Sequence, residues 1–163
     1  MSAMAGKTDK TTNKQGPTAI NKKAYMNFTL LDRFEAGLEL LGSEVKSLRV
    51  ATADLTGSYA RVHDDECWLV GAKIAQYPQA GCQQHDPDRK RKLLLHKAQI
   101  RRLKNKLEQR GFTLVPVRIY FNNKGLAKVE LALATGKRKY DKRRAITERE
   151  QKRDVSRSMK KYK

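Results

Sequence analysis

Six short β-like runs, only two clearly helical stretches and no strand–long-helix rhythm predict a mainly β chain. The predicted architecture is a small antiparallel barrel with two or three helices and a disordered basic C-terminal tail. Its 163 residues suffice for one domain with a real core and fall short of two.

Residues 1–20 are small and polar and are expected to be a disordered arm. Asn21-Lys22-Lys23-Ala24 leads into the first run, residues 28–34, where Phe28, Leu30 and Phe34 read as a strand. Residues 36–41 continue as a second strand, bent near Gly37, where a partner backbone can approach closely. Residues 43–49 form a short helix, with Ser43 as cap, Glu44 in the first turn and Arg49 in the last, as the macrodipole favours. Residues 55–62 and 67–74 form a hairpin around His63-Asp64-Asp65-Glu66, with Tyr59, Val62, Trp68 and Val70 supplying strand-like content. Pro78, Gly81 and Pro87 mark residues 77–88 as a loop.

The stretch 89–110 organises the rest. A basic block, Arg89-Lys90-Arg91-Lys92, gives way to Leu93-Leu94-Leu95 and then to an amphipathic helix. His96 is placed to cap that helix with Gln99 three residues on; Ile100, Leu103 and Leu107 follow at helical spacing, and Gly111 supplies the stop. Its other faces carry Lys97, Arg101, Arg102, Lys104, Lys106 and Arg110, which for a lone helix would be an ordinary solvated face. Leu94 is expected inward and Leu95 outward. Residues 112–121 are a strand that Pro116 demotes to an edge or a bulge. Asn122-Asn123-Lys124-Gly125 turns the chain into residues 126–134, where Val129, Leu131 and Leu133 alternate with Lys128, Glu130 and Ala132. A barrel of this kind leaves no open edge and presents an outer face to RNA, as oligonucleotide-binding-like folds do.

Charge points to the same class of partner. Lys and Arg number 36 against 17 Asp and Glu, a formal net charge of +19. Residues 1–23 carry net +4, 24–135 net +6 and 136–163 net +9, so a mildly basic middle has two positive arms. Such a field draws polyanions, with nucleic acid first and an anionic membrane second. The tail lacks the Trp, Phe or Leu that a membrane-docking helix buries. With no apolar run fit for a signal peptide and no span of roughly 20 apolar residues, the chain is expected to be soluble and cytoplasmic.

Catalytic patterns such as GxSxG, HExxH and GxGxxG are missing, so no enzyme and no cofactor is expected. Cys82 and His85 have metal-like spacing, but a structural zinc needs four ligands, so no metal is assigned. Cys67 reads as a core strand residue and His63 as an exposed turn residue. Glu35, in an otherwise basic region, reads on its own as half of a surface salt bridge worth about 0–1 kcal/mol. The block 89–96 can position phosphates with its cations while Leu95 and His96 offer an apolar edge and a stacking ring.

Several linked stretches together resemble the SsrA-binding protein (SmpB) family. They are Asn21-Lys22-Lys23-Ala24, Phe34-Glu35-Ala36-Gly37, Gly42-Ser43-Glu44-Val45-Lys46-Ser47-Leu48-Arg49, Asp86-Pro87 with residues 89–96, and Gly136-Lys137 with Asp141-Lys142-Arg143. The resemblance implies an oligonucleotide-binding-like barrel over residues 21–135. It also implies a basic tail over 136–163, disordered alone and helical on the ribosome. It implies binding of the tRNA-like domain of transfer-messenger RNA and its delivery to stalled ribosomes for trans-translation, by a protein monomeric when free. The RNA-binding positions it implies are Asn21, Lys22, Lys23, Phe28, Glu35, Glu44, Lys46, Arg89, Arg91, Lys92, Leu95 and His96, which replaces the salt-bridge reading of Glu35. It places Gly136, Lys137, Arg138, Tyr140, Asp141, Lys142 and Arg143 in the empty mRNA channel and decoding centre. Met26 and Phe28 stand where many relatives have His and Tyr, so Phe28 keeps a ring and lacks the hydroxyl. The rival reading is a generic basic RNA- or ribosome-associated protein that binds by backbone charge alone.

Overall fold

The computed structural model describes residues 19–50, 53–80, 84–109 and 111–138, with Asp141, Thr147, Glu150, Gln151, 153–155 and 157–159 of the tail. The elements run β1 (Ala19–Ile20), α1 (Lys22–Asn27), β2 (Phe28–Leu38), α2 (Gly42–Val50), β3 (Ala53–Asp54) and β4 (Tyr59–His63). They continue with β5 (Glu66–Val70), β6 (Lys73–Ile74), β7 (Arg91–Leu94), α3 (Lys97–Glu108), β8 (Phe112–Phe121) and β9 (Ala127–Gly136).

The main sheet is antiparallel, in the order β1-β8-β4-β5-β7-β2-β9, and a further β8–β9 pairing brings it round on itself. The ring is loose: β4 meets β8 through one register pair, Ala60 with Leu114. Inside lie Leu48, Leu69, Leu93, Leu103, Leu114, Ile119, Val129 and Leu131. A smaller cluster under α1 joins Ala24, Val115 and Ala134 to Phe28 and Leu30. Between the two clusters both faces of β9 are covered, so Val129 to Ala134 are buried without a break and the expected alternation in exposure is lost.

The two expected strands before residue 41 are one, β2, with its irregularity between Leu30 and Arg33 and not at Gly37. The hairpin turn falls where its residues place it. Asp64 and Asp65 have φ of 49° and 56°, as the two central residues of a turn matched to strand twist require. The outer end of the second expected strand forms a separate ribbon, β6 pairing with β3 just ahead of the first. Pro116 marks a bulge, the β8–β9 register shifting between Pro116 and Arg118.

Two elements were not anticipated. Asn21 nucleates α1: its Oδ1 accepts from the Ala24 N–H at 3.0 Å, while Nδ2 donates to Leu55 O and Pro116 O at 2.9 and 3.0 Å. The basic block and leucine run form β7. Arg91 and Leu93 point inward and Leu94 outward, with Leu95 half-buried, which reverses the expectation for Leu94. In α2 the cap is also reassigned. The Glu44 carboxylate accepts from the Leu41 N–H at 2.8 Å, whereas Ser43 Oγ faces the buried His85 ring at 3.1 Å.

The folded body extends slightly past its expected limits. β1 pairs with β8 through Ala19 and Ile20, and Gly136 pairs with Phe28. Lys137 is tied to α1, its N–H donating to Asn27 O at 3.0 Å and its Nζ to Tyr25 O at 3.1 Å. Beyond Arg138, the described tail residues are helical and exposed. Asp154 and Arg157 approach to 3.8 Å at i,i+3 spacing. The arm 1–18 and Lys139, Tyr140, Lys142 and Arg143 lie outside the described residues, as do Gly81 and Cys82.

Candidate nucleic-acid interface

The outer faces of β2, β9 and β8 share one ladder of charges. Glu35 stands directly opposite Glu130 across β2–β9, an arrangement that is unfavourable unless cations intervene. They do. Glu130 is held by Arg33 at 2.9 Å and by Arg118. Glu35 accepts a hydrogen bond from the Tyr120 hydroxyl and has Lys128 Nζ 3.5 Å from its other oxygen. Burial, that hydrogen bond and the Glu35 charge push the Tyr120 phenol up to about 12, so it stays a donor. The Glu35 side chain keeps 55% of its surface exposed and can still accept from a ligand.

Beside it opens a cleft of about 510 Å³, whose walls include Glu35, Gly37, Lys128, Leu94, Leu95, His96, Lys97 and Gln99. Leu94 lies over Gly37: a Cβ at position 37 would meet Leu94 Cβ at 3.1 Å. The glycine thus admits an apolar side chain onto an otherwise polar wall. His96, exposed, turns the chain from β7 into α3, and Gln99 Oε1 accepts from its N–H at 3.1 Å. Carboxylate, leucine edge, imidazole and two lysines thereby converge from four elements. Such a surface offers an acceptor, a stacking face and phosphate partners together, which is what an unpaired, splayed RNA segment needs.

The other expected RNA positions divide. Lys22, Lys23 and Lys46 are exposed, free to meet phosphate. Phe28 is half-buried against the cluster under α1. Asn21, 4% exposed, has its side chain committed to α1 and the β8 bulge and is not available to a ligand. Glu44 and Arg91 are corrected outright, since both are 0% exposed. Arg91 Nε donates to Glu44 at 2.9 Å and its other nitrogens donate to Ala72 O, Arg89 O and Pro87 O. Arg89 Nη2 donates to the second Glu44 oxygen at 2.7 Å. Lys92 is ion-paired with Glu66. Of the four cations expected to position phosphates, only Lys90 is exposed and without a carboxylate partner among the described residues.

Leu94, Tyr120 and Lys128 join the site without having been expected there. Tyr120 carried a faint signal, standing two residues from Arg118 on the polar phase of β8. Cys67 is a core residue as read, its thiol pushed up to about 11 by burial. His63 is exposed, 2.7 Å from Asp64. Among the described residues no three His, Cys, Asp or Glu gather as metal ligands, and no helix is long and apolar enough to cross a membrane.

The family model for SmpB protein matches residues 18–161. The SsrA-binding protein of Sulfurihydrogenibium sp. (strain YO3AOP1) is 50% identical over 142 residues, covering 87% of this chain and 93% of that one. That of Syntrophobacter fumaroxidans is 51% identical over 137 residues, covering 84% of each. A chain from a solved structure of tmRNA–SmpB and the bacterial ribosome superposes with a TM-score of 0.64 at 49% identity, covering 78% of this chain and 92% of that chain. A match across the barrel, the charged ladder and most of the basic tail leaves no ambiguity: the chain belongs to the SmpB family of SsrA-binding proteins.

Proposed function

We propose that this protein binds the tRNA-like domain of transfer-messenger RNA and carries it to stalled ribosomes, where trans-translation frees them and tags the unfinished peptide for degradation. The observation that carries this reading is the cleft in which Glu35, Leu94, Leu95, His96 and Lys128 converge. A surface that bound by charge alone would not place a carboxylate at its centre, because phosphate repels it. A carboxylate with one oxygen already held by Tyr120 is suited to a base amine or a sugar hydroxyl.

The tail, net +9 from residue 136 onward, supplies the second half. It fits where mRNA phosphate is missing, so an empty channel is the signal it senses, and its ordering there is a conformational check. No covalent step is assigned to the protein; peptidyl transfer belongs to the ribosome. A cytoplasmic monomer when free accords with this role.

The deciding experiment is a mobility-shift titration of the tRNA-like domain against bulk tRNA. Selective binding that is weakened more by Glu35→Ala and His96→Ala than by Lys160→Ala supports the reading. Equal affinity for both RNAs, with a steep salt dependence and equal losses in all three variants, would leave only a nonspecific basic protein.

A further inference from the structure

Next to the cleft, the outward face of the β4–β5 hairpin forms a hollow of about 340 Å³ lined by Tyr59, Arg61, His63, Trp68, Val70 and Lys90. The register explains why they meet. Tyr59 stands opposite Val70, Arg61 opposite Trp68, and Trp68 opposite Lys92 on β7, and directly opposed residues project to the same side of a sheet. Tyr59 is 42% exposed. Lys92 with Glu66, Lys104 with Asp65, Lys106 with Asp32 and Lys73 with Asp88 all have acidic partners. Arg61 and Lys90 are exposed and have none among the described residues.

An indole and a phenol flanked by two uncompensated cations match an unpaired nucleotide, whose base stacks on the ring while its phosphate meets the charge. A membrane surface would want an unbroken apolar face, and here charges interrupt it. The hollow adjoins the cleft across the β5–β7 pairing, because Trp68 stands opposite Lys92, which with Glu66 lines the cleft. We infer that the RNA-binding surface extends from the cleft across β7 onto this hairpin, with an unpaired nucleotide of the bound RNA stacked at Trp68. The inference rests on RNA binding at the cleft and adds a contact to it.

The chain has a single tryptophan, so its emission reports this spot alone. The full-length protein is titrated with the tRNA-like domain RNA, following emission and mobility shift in parallel. Quenching that saturates with the mobility shift is expected. Trp68→Leu should weaken binding by about 5- to 150-fold, the range measured for loss of one stacked base, with Trp68→Phe retaining most of the affinity. The exposed pair change Arg61→Ala/Lys90→Ala, which leaves the core untouched, should lower the slope of log affinity against log salt by about 2. If RNA binds by mobility shift while emission and the affinities of all these variants stay at wild-type values, the extension is wrong and the cleft reading survives. If no RNA binds at all, the cleft reading itself has failed. An acidic peptide that quenches Trp68 where RNA does not would also overturn the inference, in favour of a protein partner.

Discussion

Breaking the Glu44–Arg91 pair should destabilise the barrel without touching its RNA surface. Both side chains are 0% exposed, and Glu44 receives hydrogen bonds from Arg91, Arg89 and the Leu41 N–H. Removing one partner of a buried pair leaves a charge that neither water nor protein compensates, at about 3–5 kcal/mol. At roughly 2–4 °C per kcal/mol for a chain of this size, Arg91→Met or Glu44→Gln should lower Tm by roughly 6–20 °C. The double variant Glu44→Leu/Arg91→Met removes both charges and should recover much of the loss. Acid should act like the single variant. Burial raises the Glu44 pKa, but the Arg89 and Leu41 hydrogen bonds and the arginine charges outweigh it, so the carboxyl titrates below its ordinary 4.5. A depressed folded-state pKa gives stability that is full above about 4.5 and lost as pH falls through the lower folded value. Thermal melts from pH 7 down to 3, wild type against Glu44→Gln, measure this. Wild-type stability falling with acid while the variant stays flatter is expected. An Arg91→Met protein with unchanged Tm and lost RNA binding would refute the reasoning, since it would make Arg91 a surface ligand.

Asn21→Ala deletes three side-chain hydrogen bonds and should destabilise by about 2–3 kcal/mol in denaturant melts, while the folded fraction binds RNA nearly as wild type. Glu35→Ala should weaken binding of the tRNA-like domain by about 10- to 150-fold, the scale of one hydrogen bond to a charged group, with little change in Tm. Tyr120→Phe, which frees the Glu35 carboxylate without removing it, should weaken the same binding by about 2- to 10-fold. Truncation after Lys137, which spares the contacts of Gly136 and Lys137 with β2 and α1, should leave RNA affinity within about twofold and abolish peptide tagging on stalled ribosomes.

The sequence carried the fold best where side chains report on one face at a time. Ile100, Leu103 and Leu107 announced α3, and His63-Asp64-Asp65-Glu66 marked the hairpin turn, which the structure narrows to Asp64 and Asp65. It misled where polar side chains serve the interior. Arg91 breaks the strand pattern of β7 because it points into the protein as a buried cation, and four successive cations read as a phosphate clamp when three are already bonded. Asn21 looked like an RNA contact because its role, capping α1 and bracing the Pro116 bulge, depends on a segment 95 residues away. At the site, Glu35, Leu95 and His96 were reachable through resemblance. Tyr120 and Lys128 were not, because what recruits them is the antiparallel register of β8 and β9 against β2.

That register has a geometric consequence. One strand, β9, carries Lys128 in the cleft and Gly136 at the root of the tail. Eight residues of extended backbone separate them, about 26 Å at the usual rise per residue. A rigid β ruler therefore sets the offset between the two working ends, and the extension departs from a fixed origin instead of a slack hinge.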